Sequence, residues 1–262
     1  MLVTLLSDFG TSDVYVGVMK GTIARINSNI QVVDLTHQIP PQNIAIGRFQ
    51  LMNAYPYFPD GTVHVAIVDP GVGSQRRSIA VQLQSGYLVA PDNGLISGVL
   101  SQYRAIAAVE LTNQAFWRTT NSSSTFHGRD VFAPVGAYLA SGVDLRELGE
   151  EIDLDTIVSL PIPDPIQTAT RITGTIQAID HFGNLITNIP AQLVRDRSWT
   201  VRIANRFYPG KTTYAAVDRG EILGLIASHG WVEIAANQDS AQQKLNAIVG
   251  GSVDLEFAEG MD

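Results

Sequence analysis

The stretch T-V-H-V-A-I-V-D-P-G-V-G-S-Q-R-R-S-I-A, from Thr62 to Ala80, constrains the fold of this chain more than any other. An apolar, largely β-branched run (Val63, Val65, Ile67, Val68) ends on Asp69. Pro70, Gly71 and Gly73 follow, then Arg76 and Arg77, then a second β-rich run from Ser78 to Leu83. This reads as strand, tight loop, strand. Pro70 fixes its own φ and biases Asp69 towards extended backbone. A carboxylate at the end of a buried strand, followed by a glycine loop, is where open α/β sheets place ligands. The plainer alternative is an aspartate that caps a turn and pairs with a surface arginine, and the stretch by itself leaves both open.

The segments on either side repeat a βα rhythm. Leu2 to Leu6 is a short apolar strand ending at Ser7-Asp8-Phe9-Gly10. Thr11-Ser12-Asp13 offers N-cap chemistry for a helix through Val18, Ile23 and Ile26, closed by Asn29. Ile30 to Leu35 is a second strand, and Asn43 onward reads as a helix that stops near Tyr55-Pro56. After the Asp69 strand and its partner come Leu88 to Ala90, a helical stretch from Leu95 to Tyr103, a strand from Ala105 to Leu111, and a helix from about Val131 to Ala140. Strands alternating with helices predict an α/β domain, a mostly parallel sheet with helices on its faces.

Beyond Ala140 the pattern changes. Leu160-Pro-Ile-Pro-Asp-Pro165 is proline-rich and extended, so residues 161–170 read as a linker between an α/β domain (1–160) and a second domain (171–262). Short β-rich runs then follow one another: Arg171 to Asp180, Leu185 to Ile189, Thr200 to Ile203, Leu223 to Ala227, Trp231 to Ala235 and Val253 to Phe257. One helical segment, Asp239 to Ile248, interrupts them. This half reads as a small antiparallel β domain, with a barrel one way to close it. With 45% hydrophobic and 16% charged residues the chain has material for a real core. A net charge of -8 disfavours a nucleic-acid or anionic-membrane partner. The absence of cysteine removes disulfides and zinc–thiolate sites. The first eight residues carry no basic segment, and no apolar run is long enough to span a bilayer, so the expectation is a cytoplasmic protein.

Four strand-end loops combine polar residues with glycine: Ser7-Asp8-Phe9-Gly10 with Asp13; Asp69-Pro-Gly-Val-Gly with Arg76; Phe126-His127-Gly128-Arg129-Asp130; and, in the second domain, Asp180-His-Phe-Gly-Asn184. If the first strands are parallel, their C-terminal ends line one sheet edge and the first three loops converge. Each residue also has a plain structural use. Asp8 suits a helix cap and Asp13 a first-turn acid. His127 suits a satisfied loop histidine, Asp130 a capping acid, and Arg129 a local pair. Phe182 suits the core and Asn184 a turn. His37, His64, His181 and His229 are not distinguished by spacing. No Walker loop, G-x-G-x-x-G after a strand, G-x-S-x-G or H-E-x-x-H is present. By residue type alone, Asp8, Asp13, Asp69 and His127 remain a possible divalent-metal set.

Taken together, L-L-S-D-F-G-T-S-D-x-Y-V-G-x-M-K-G (Leu5 to Gly21), D-L-T-H (Asp34 to His37), V-D-P-G-V-G (Val68 to Gly73), A-P-D-N-G (Ala90 to Gly94), F-H-G-R-D (Phe126 to Asp130) and D-x-F-G-N (Asp180 to Asn184) resemble the S-adenosyl-L-methionine (SAM) hydroxide adenosyltransferase family. That family is related to the SAM-dependent fluorinase and chlorinase. The match runs in order over nearly the whole chain. The resemblance implies a Rossmann-like N-terminal domain, a β-barrel C-terminal domain, and a homotrimer whose sites lie between one subunit's N domain and its neighbour's C domain. It implies SAM as substrate, adenosine and L-methionine as products, and neither a metal nor a separate cofactor. It implies that Asp8 accepts hydrogen bonds from the ribose hydroxyls and that Asp13 and Asp180 hold the methionine ammonium. Phe182 would stack on adenine, Asn184 would read its edge, and Ser228 would contact the methionine carboxylate. Asp69, Arg76 and His127 match the triad that holds the attacking water, with Arg77 an alternative to Arg76. One departure is Gln42, which stands where the halogenases carry an aromatic near the ribose.

The chemistry suits these residue types. The sulfonium of SAM is already a good leaving group, so the task is to place oxygen in line behind ribose C5′. Asp69 and His127 would orient the water and take its proton while Arg76 fixes Asp69. The alternatives are halide transfer on the same fold, a non-catalytic SAM- or adenosine-binding protein, and a metal-dependent hydrolase.

Overall fold

The computed structural model describes residues 1–257. Their contacts divide the chain into two compact units, Met1–Pro161 and Ile162–Asp262.

In the first unit, β1 (Leu2–Ser7), β2 (Gln31–Thr36), β3 (Thr62–Ile67), β4 (Ser78–Leu83), β5 (Gly86–Pro91), β6 (Ala105–Glu110) and β7 (Glu150–Glu151) form one sheet in the order β2-β1-β3-β5-β4-β6-β7. The β2, β1, β3 and β5 neighbours run parallel, while β5/β4, β4/β6 and β6/β7 are antiparallel, so the sheet is mixed. β3 is an interior strand, between β1 and β5, and is buried along its whole length. That is why its sequence shows a continuous apolar run rather than alternation. The register sets Ser7 beside Ile67, which brings the ends of β1 and β3, and the loops carrying Asp8 and Asp69, to one edge.

Helices cover both faces. Period-2 geometry sends Leu5, Val63, Val65 and Ile67 to one core and Leu6, Ala66 and Val68 to the other. The first core is closed by α1 (Tyr15–Ile26), which buries Val16, Met19 and Ile23, and by α4 (Ala133–Ala140). The second is closed by α2 (Ile44–Ala54) and the single turn α3 (Ser97–Leu100). Asn43 caps α2 through its side chain, which accepts from Ile46 N at 3.0 Å. The N-cap expected at Thr11-Ser12-Asp13 is not formed. α1 starts at Tyr15 after Val14 without a side-chain cap, and Asp13 is exposed two residues before the helix. The helical stretch expected over Leu95 to Tyr103 contracts to α3 and flanking turns.

The second unit is an antiparallel sheet in the order β12-β11-β15-β9-β10-β14-β13. Its strands are β8 (Ile166–Gln167), which pairs with β9 off this path, β9 (Arg171–Ile179), β10 (Leu185–Pro190), β11 (Trp199–Ile203), β12 (Arg206–Pro209), β13 (Ile222–Ile226), β14 (Trp231–Ala236) and β15 (Ser252–Phe257). A bridge between Gly210 and Gly224 nearly closes the two edges into a barrel. Ile172, Ile176, Leu185, Val201, Ile234 and Leu255 fill its interior. The expected helix narrows to α5 (Ala241–Leu245), capped by Ser240. In this unit two strands had no sequence expectation. β12 follows β11 through Ala204 and Asn205, both at positive φ, a two-residue primed hairpin turn without the usual glycine. β8 lies in the expected linker, directly after the proline-rich stretch.

His64, in β3, is a structural histidine. Its ring is 2% exposed, lies against Tyr55 and Phe58, and shares a 2.8 Å hydrogen bond between Nδ1 and Thr4 Oγ1. Burial lowers its pKa from 6.5 to about 4. The unfolded chain therefore binds a proton below pH 6.5 that the folded chain refuses until about pH 4, so stability is lost as pH falls through that window. The loss attributable to this residue is roughly 2–3 kcal/mol. Denaturant titrations at pH 7 and pH 4.5 should show a decline in the parent protein that a Thr4→Val/His64→Phe variant lacks to that extent.

Candidate active site

Asp69 stands just past the end of β3, and Arg76 lies two residues before β4. The guanidinium of Arg76 donates from Nε to Asp69 Oδ1 at 2.9 Å and from Nη2 to Oδ2 at 2.5 Å. The same Nη2 reaches His127 Nδ1 at 2.9 Å. Nη1 donates to Ser78 Oγ at 2.6 Å and to the Arg77 carbonyl at 3.4 Å. The cation also lies over the Phe132 ring, 5.3 Å from its centroid. The two charged side chains are 10% and 6% exposed, so neither is a solvated surface group. Arg77 points elsewhere: it pairs with Asp92 and donates to Thr156, clamping the end of β5 to residue 156. The geometry thus brings Asp69, Arg76 and His127 together and leaves Arg77 outside.

Gly73 lets this loop close. Its φ is +77°, and a Cβ there would fall 2.4 Å from the Ser124 carbonyl oxygen. The Asp69 loop therefore packs its backbone directly on the polar loop that leads to His127. A second contact joins the Asp8 loop. Phe9, Tyr15 and Phe126 meet edge to face or tilted, with centroids 5.2–5.9 Å apart. Within the first unit, three of the four expected loops converge.

His127 sits at the start of a π-turn, Gly128–Phe132, that runs directly into α4. The helix thus begins three residues before the expected Val131, with the wide turn that recurs at functional sites. Asp130 does not cap it. Its carboxylate is fully buried and accepts from Arg118 Nε, Arg129 Nε and Ser123 N, tying the preceding loop down behind His127. Burial raises the pKa of Asp130, but the Arg129 and Arg118 hydrogen bonds outweigh it and leave the group ionised far below its usual range. Sequence reasoning gave Asp130 a capping role and gave Ser78, Phe132 and Arg118 none. The F-H-G-R-D spacing was the available signal for Asp130.

The pKa of His127 is lowered, first by burial and next by the Arg76 cation, against opposing pulls from Asp69 and Asp130. Its ring is neutral at pH 7. An arginine only donates, so Nδ1 must carry the lone pair that meets Arg76, and the proton of the neutral ring sits on Nε2.

Asp8 is not a helix cap. Its Oδ2 accepts from the backbone N–H of Gln42 at 2.8 Å, and Gln42 itself has φ +65°. Asp13 is exposed. Among the described residues no group of three or more His, Asp or Glu side chains is placed to hold a metal ion, so Asp8, Asp13, Asp69 and His127 do not form such a set.

In the second unit, Asp180 organises the D-H-F-G-N loop between β9 and β10. Oδ1 accepts from Phe182 N at 2.9 Å and Asn184 N at 2.8 Å, and Oδ2 accepts from Asn184 Nδ2 at 2.9 Å. Gly183, at φ +83°, presses on Ser240, whose Oγ would lie 2.1 Å from a Cβ. Phe182 is not a core residue: the loop holds it 73% exposed. Asn184 is buried, with Oδ1 left to accept. Ser228 is exposed in the turn between β13 and β14.

The models of the SAM hydroxide adenosyltransferase N-terminal and C-terminal domains match residues 3–149 and 174–254. The chain belongs to the SAM hydroxide adenosyltransferase family. It is 37% identical over 249 residues to the (R)-S-adenosyl-L-methionine hydrolase of Salinispora tropica, spanning 95% of both chains. A fluorinase of an Actinoplanes species is more distant, 30% identical over 72% of this chain and 71% of that one. The crystal structure of an uncharacterised conserved protein from Thermotoga maritima superposes with a TM-score of 0.91 at 34% identity, covering 97% of this chain and 99% of that one.

If Arg76 sets the state of His127, removing the cation should raise the His127 pKa. In NMR titrations His127 should titrate below 6.5 in the parent protein, and higher in Arg76→Met. Arg77→Ala should leave the titration unchanged, and an upward shift there equal to that of Arg76→Met would contradict the assignment.

Proposed function

We propose that the protein hydrolyses SAM to adenosine and L-methionine, with the water held by Asp69 and His127 and both groups fixed by Arg76. The observation that carries this reading is the Arg76 guanidinium bonded to both side chains at once, in a chain whose 37%-identical relatives are named SAM hydrolases. Asp8 then binds the ribose hydroxyls, Asp13 and Asp180 the methionine ammonium, Ser228 its carboxylate, Phe182 the adenine face and Asn184 its edge. The rigid Asp180 loop with its exposed ring supports the adenine assignment. Halide transfer and non-catalytic binding are the competing readings.

The reaction breaks the C5′–S bond and forms a C5′–O bond. The electron pair of the breaking bond returns to sulfur, giving the neutral thioether of methionine, and the water gives up one proton. Holding the reacting atoms in line supplies roughly 7–11 kcal/mol of the barrier reduction. Full proton transfer before attack would be costly. Water at about 15.7 and a histidine at about 6.5 differ by about 9 units, or roughly 12 kcal/mol. His127 is further unsuited as the first acceptor, because Arg76 occupies Nδ1 and Nε2 carries hydrogen. We therefore assign His127 as the donor that orients the water oxygen and Asp69 as the proton acceptor. An aspartate paired with arginine is a weak base, and a late transfer removes the difficulty. Once the C–O bond has formed, the oxygen is an oxonium, a strong acid that a weak carboxylate readily deprotonates.

The decisive experiment is incubation with SAM with and without chloride, followed by chromatography of the nucleosides. Adenosine and methionine should form in both, and EDTA should not abolish turnover. A 5′-chloro-5′-deoxyadenosine product, loss of activity in EDTA, or no turnover would overturn the reading in favour of its respective alternative.

The proposal extends to a cytoplasmic homotrimer with sites completed across subunit boundaries. No helix among the described residues is long and apolar enough to cross a membrane. Phe182→Ala should weaken SAM binding by about 1–3 kcal/mol, the range for a lost base–aromatic stack. Exchanging subunits between inactive Asp69→Ala and Phe182→Ala proteins should restore some turnover, and proven mixed trimers without activity would count against interface sites.

A further inference from the structure

The residue before Asp8 belongs to a second polar chain, buried at Ser7 and His37, that the proposed reaction does not use. Asp34 and His37, three residues apart at the end of β2 in the D-L-T-H motif, meet with Asp34 Oδ1 3.1 Å from His37 Nε2. The two atoms are within ion-pair distance but do not meet hydrogen-bond geometry. His37 Nδ1 lies 2.7 Å from Ser7 Oγ, and Phe9 N donates to the same Oγ at 3.3 Å. On the outer side, Lys20 of α1 donates to Asp34 Oδ2 at 2.6 Å.

Serine, histidine and aspartate in this order are the residue types of a nucleophilic triad, but the geometry excludes that use. Ser7 is fully enclosed and His37 is 5% exposed, so no substrate carbon can reach Oγ. The hydrogens also run the wrong way for chemistry and the right way for anchoring. The tautomer with hydrogen on Nε2, the side of Asp34, leaves Nδ1 to accept from the Ser7 hydroxyl, and the serine oxygen accepts from Phe9 N–H.

What this chain touches is the loop of Asp8. Ser7 and Phe9 flank it, and Gly10 N donates to the His37 carbonyl at 2.8 Å, so His37 holds the loop at two points. Asp8 Oδ2 is then fixed by Gln42 N, leaving Oδ1 open. A binding carboxylate on a loop must be held to within about 0.5 Å to discriminate, and side chains locked by buried partners do this.

We propose that the Asp34–His37–Ser7 chain is a positioning device that aims the Asp8 carboxylate at the ribose of the substrate. The proposal rests on the ribose-binding reading of Asp8, and it makes Ser7, His37 and Asp34 positioning residues that never contact the ligand.

The test uses the full-length protein and three inhibitors of SAM turnover: adenosine, 2′-deoxyadenosine and adenine. A hydrogen bond to a charged group predicts that the parent protein prefers adenosine over 2′-deoxyadenosine by about tenfold or more. In Ser7→Ala, and to a smaller extent in Asp34→Ala, that preference should fall several-fold towards one while adenine inhibits as before. General destabilisation would weaken all three together. Asp34 is 38% exposed, so its variant keeps the test available should Ser7→Ala fail to fold. An undiminished preference in a folded variant would overturn the positioning role alone. A parent protein with no preference for the 2′-hydroxyl would overturn the Asp8 reading and the device with it, whereas the hydrolysis assay would stand.

Discussion

The site in the first unit depends on one guanidinium. Arg76 is nearly enclosed, and every N–H it carries has an acceptor: Asp69, His127, Ser78 or the Arg77 carbonyl. A cation buried this far is tolerable only beside its anion and with its remaining donors met. The consequence is mechanical as well as electrostatic. A single planar group links the end of β3, the start of β4 and the π-turn ahead of α4, so these three cannot move independently without unpairing a buried charge. The lowered pKa of His127 and its fixed tautomer follow from the same contact. So does the need for Gly73, since a loop that must return within seven residues to present Arg76 has to pass against the Ser124 backbone.

The second unit solves a different problem. On the proposed reading Phe182 receives the adenine, which asks for a ring that is exposed and yet held in place. The Asp180 carboxylate ties the loop around it through two backbone N–H groups and the Asn184 side-chain amide. Three hydrogen bonds to one side chain replace the packing that a core phenylalanine would have. A single exposed aromatic is unremarkable on a protein surface. The informative feature is its rigid frame, together with a neighbouring asparagine that is buried and has an acceptor to spare.

Much of this was legible in the sequence, and the reasons are specific. β3 announced itself because an interior parallel strand is apolar on both faces, and the barrel strands because short β-rich runs lie between turns. Arg76 and Arg77 were separable in principle by the period of extended chain, which sends successive side chains to opposite sides. The structure follows that rule, with Arg76 to Asp69 and Arg77 to Asp92. Part of what stayed hidden depended on partners brought in only by the fold. Thr11-Ser12-Asp13 reads as a cap, but the loop is anchored instead through His37 and Gln42, some thirty residues away. Asp130 reads as a capping acid, and only the fold brings Arg118 and Ser123 onto it. β12 was missed because its hairpin turn uses Ala204 and Asn205 rather than glycine, so nothing in the local sequence marks it.

The arrangement of polar groups also bears on which nucleophile the proposed site suits. Asp69, Arg76 and neutral His127 sum to zero formal charge, so the cluster as a whole offers an anion no net attraction. It presents one donor, the Nε2–H of His127, and one acceptor, the Asp69 carboxylate. Water satisfies both, accepting from the first and donating to the second, and it arrives with one lone pair still free to attack. A halide can use the donor alone, and it would stand beside a carboxylate with nothing to offset the repulsion except a cation already committed to that carboxylate. Desolvating a halide costs a large free energy that only donors can return. A site that spends its one arginine internally therefore favours a neutral nucleophile. On this argument the difference between hydrolysis and halide transfer on this fold lies less in the strength of any base than in whether the guanidinium is spent inside the protein.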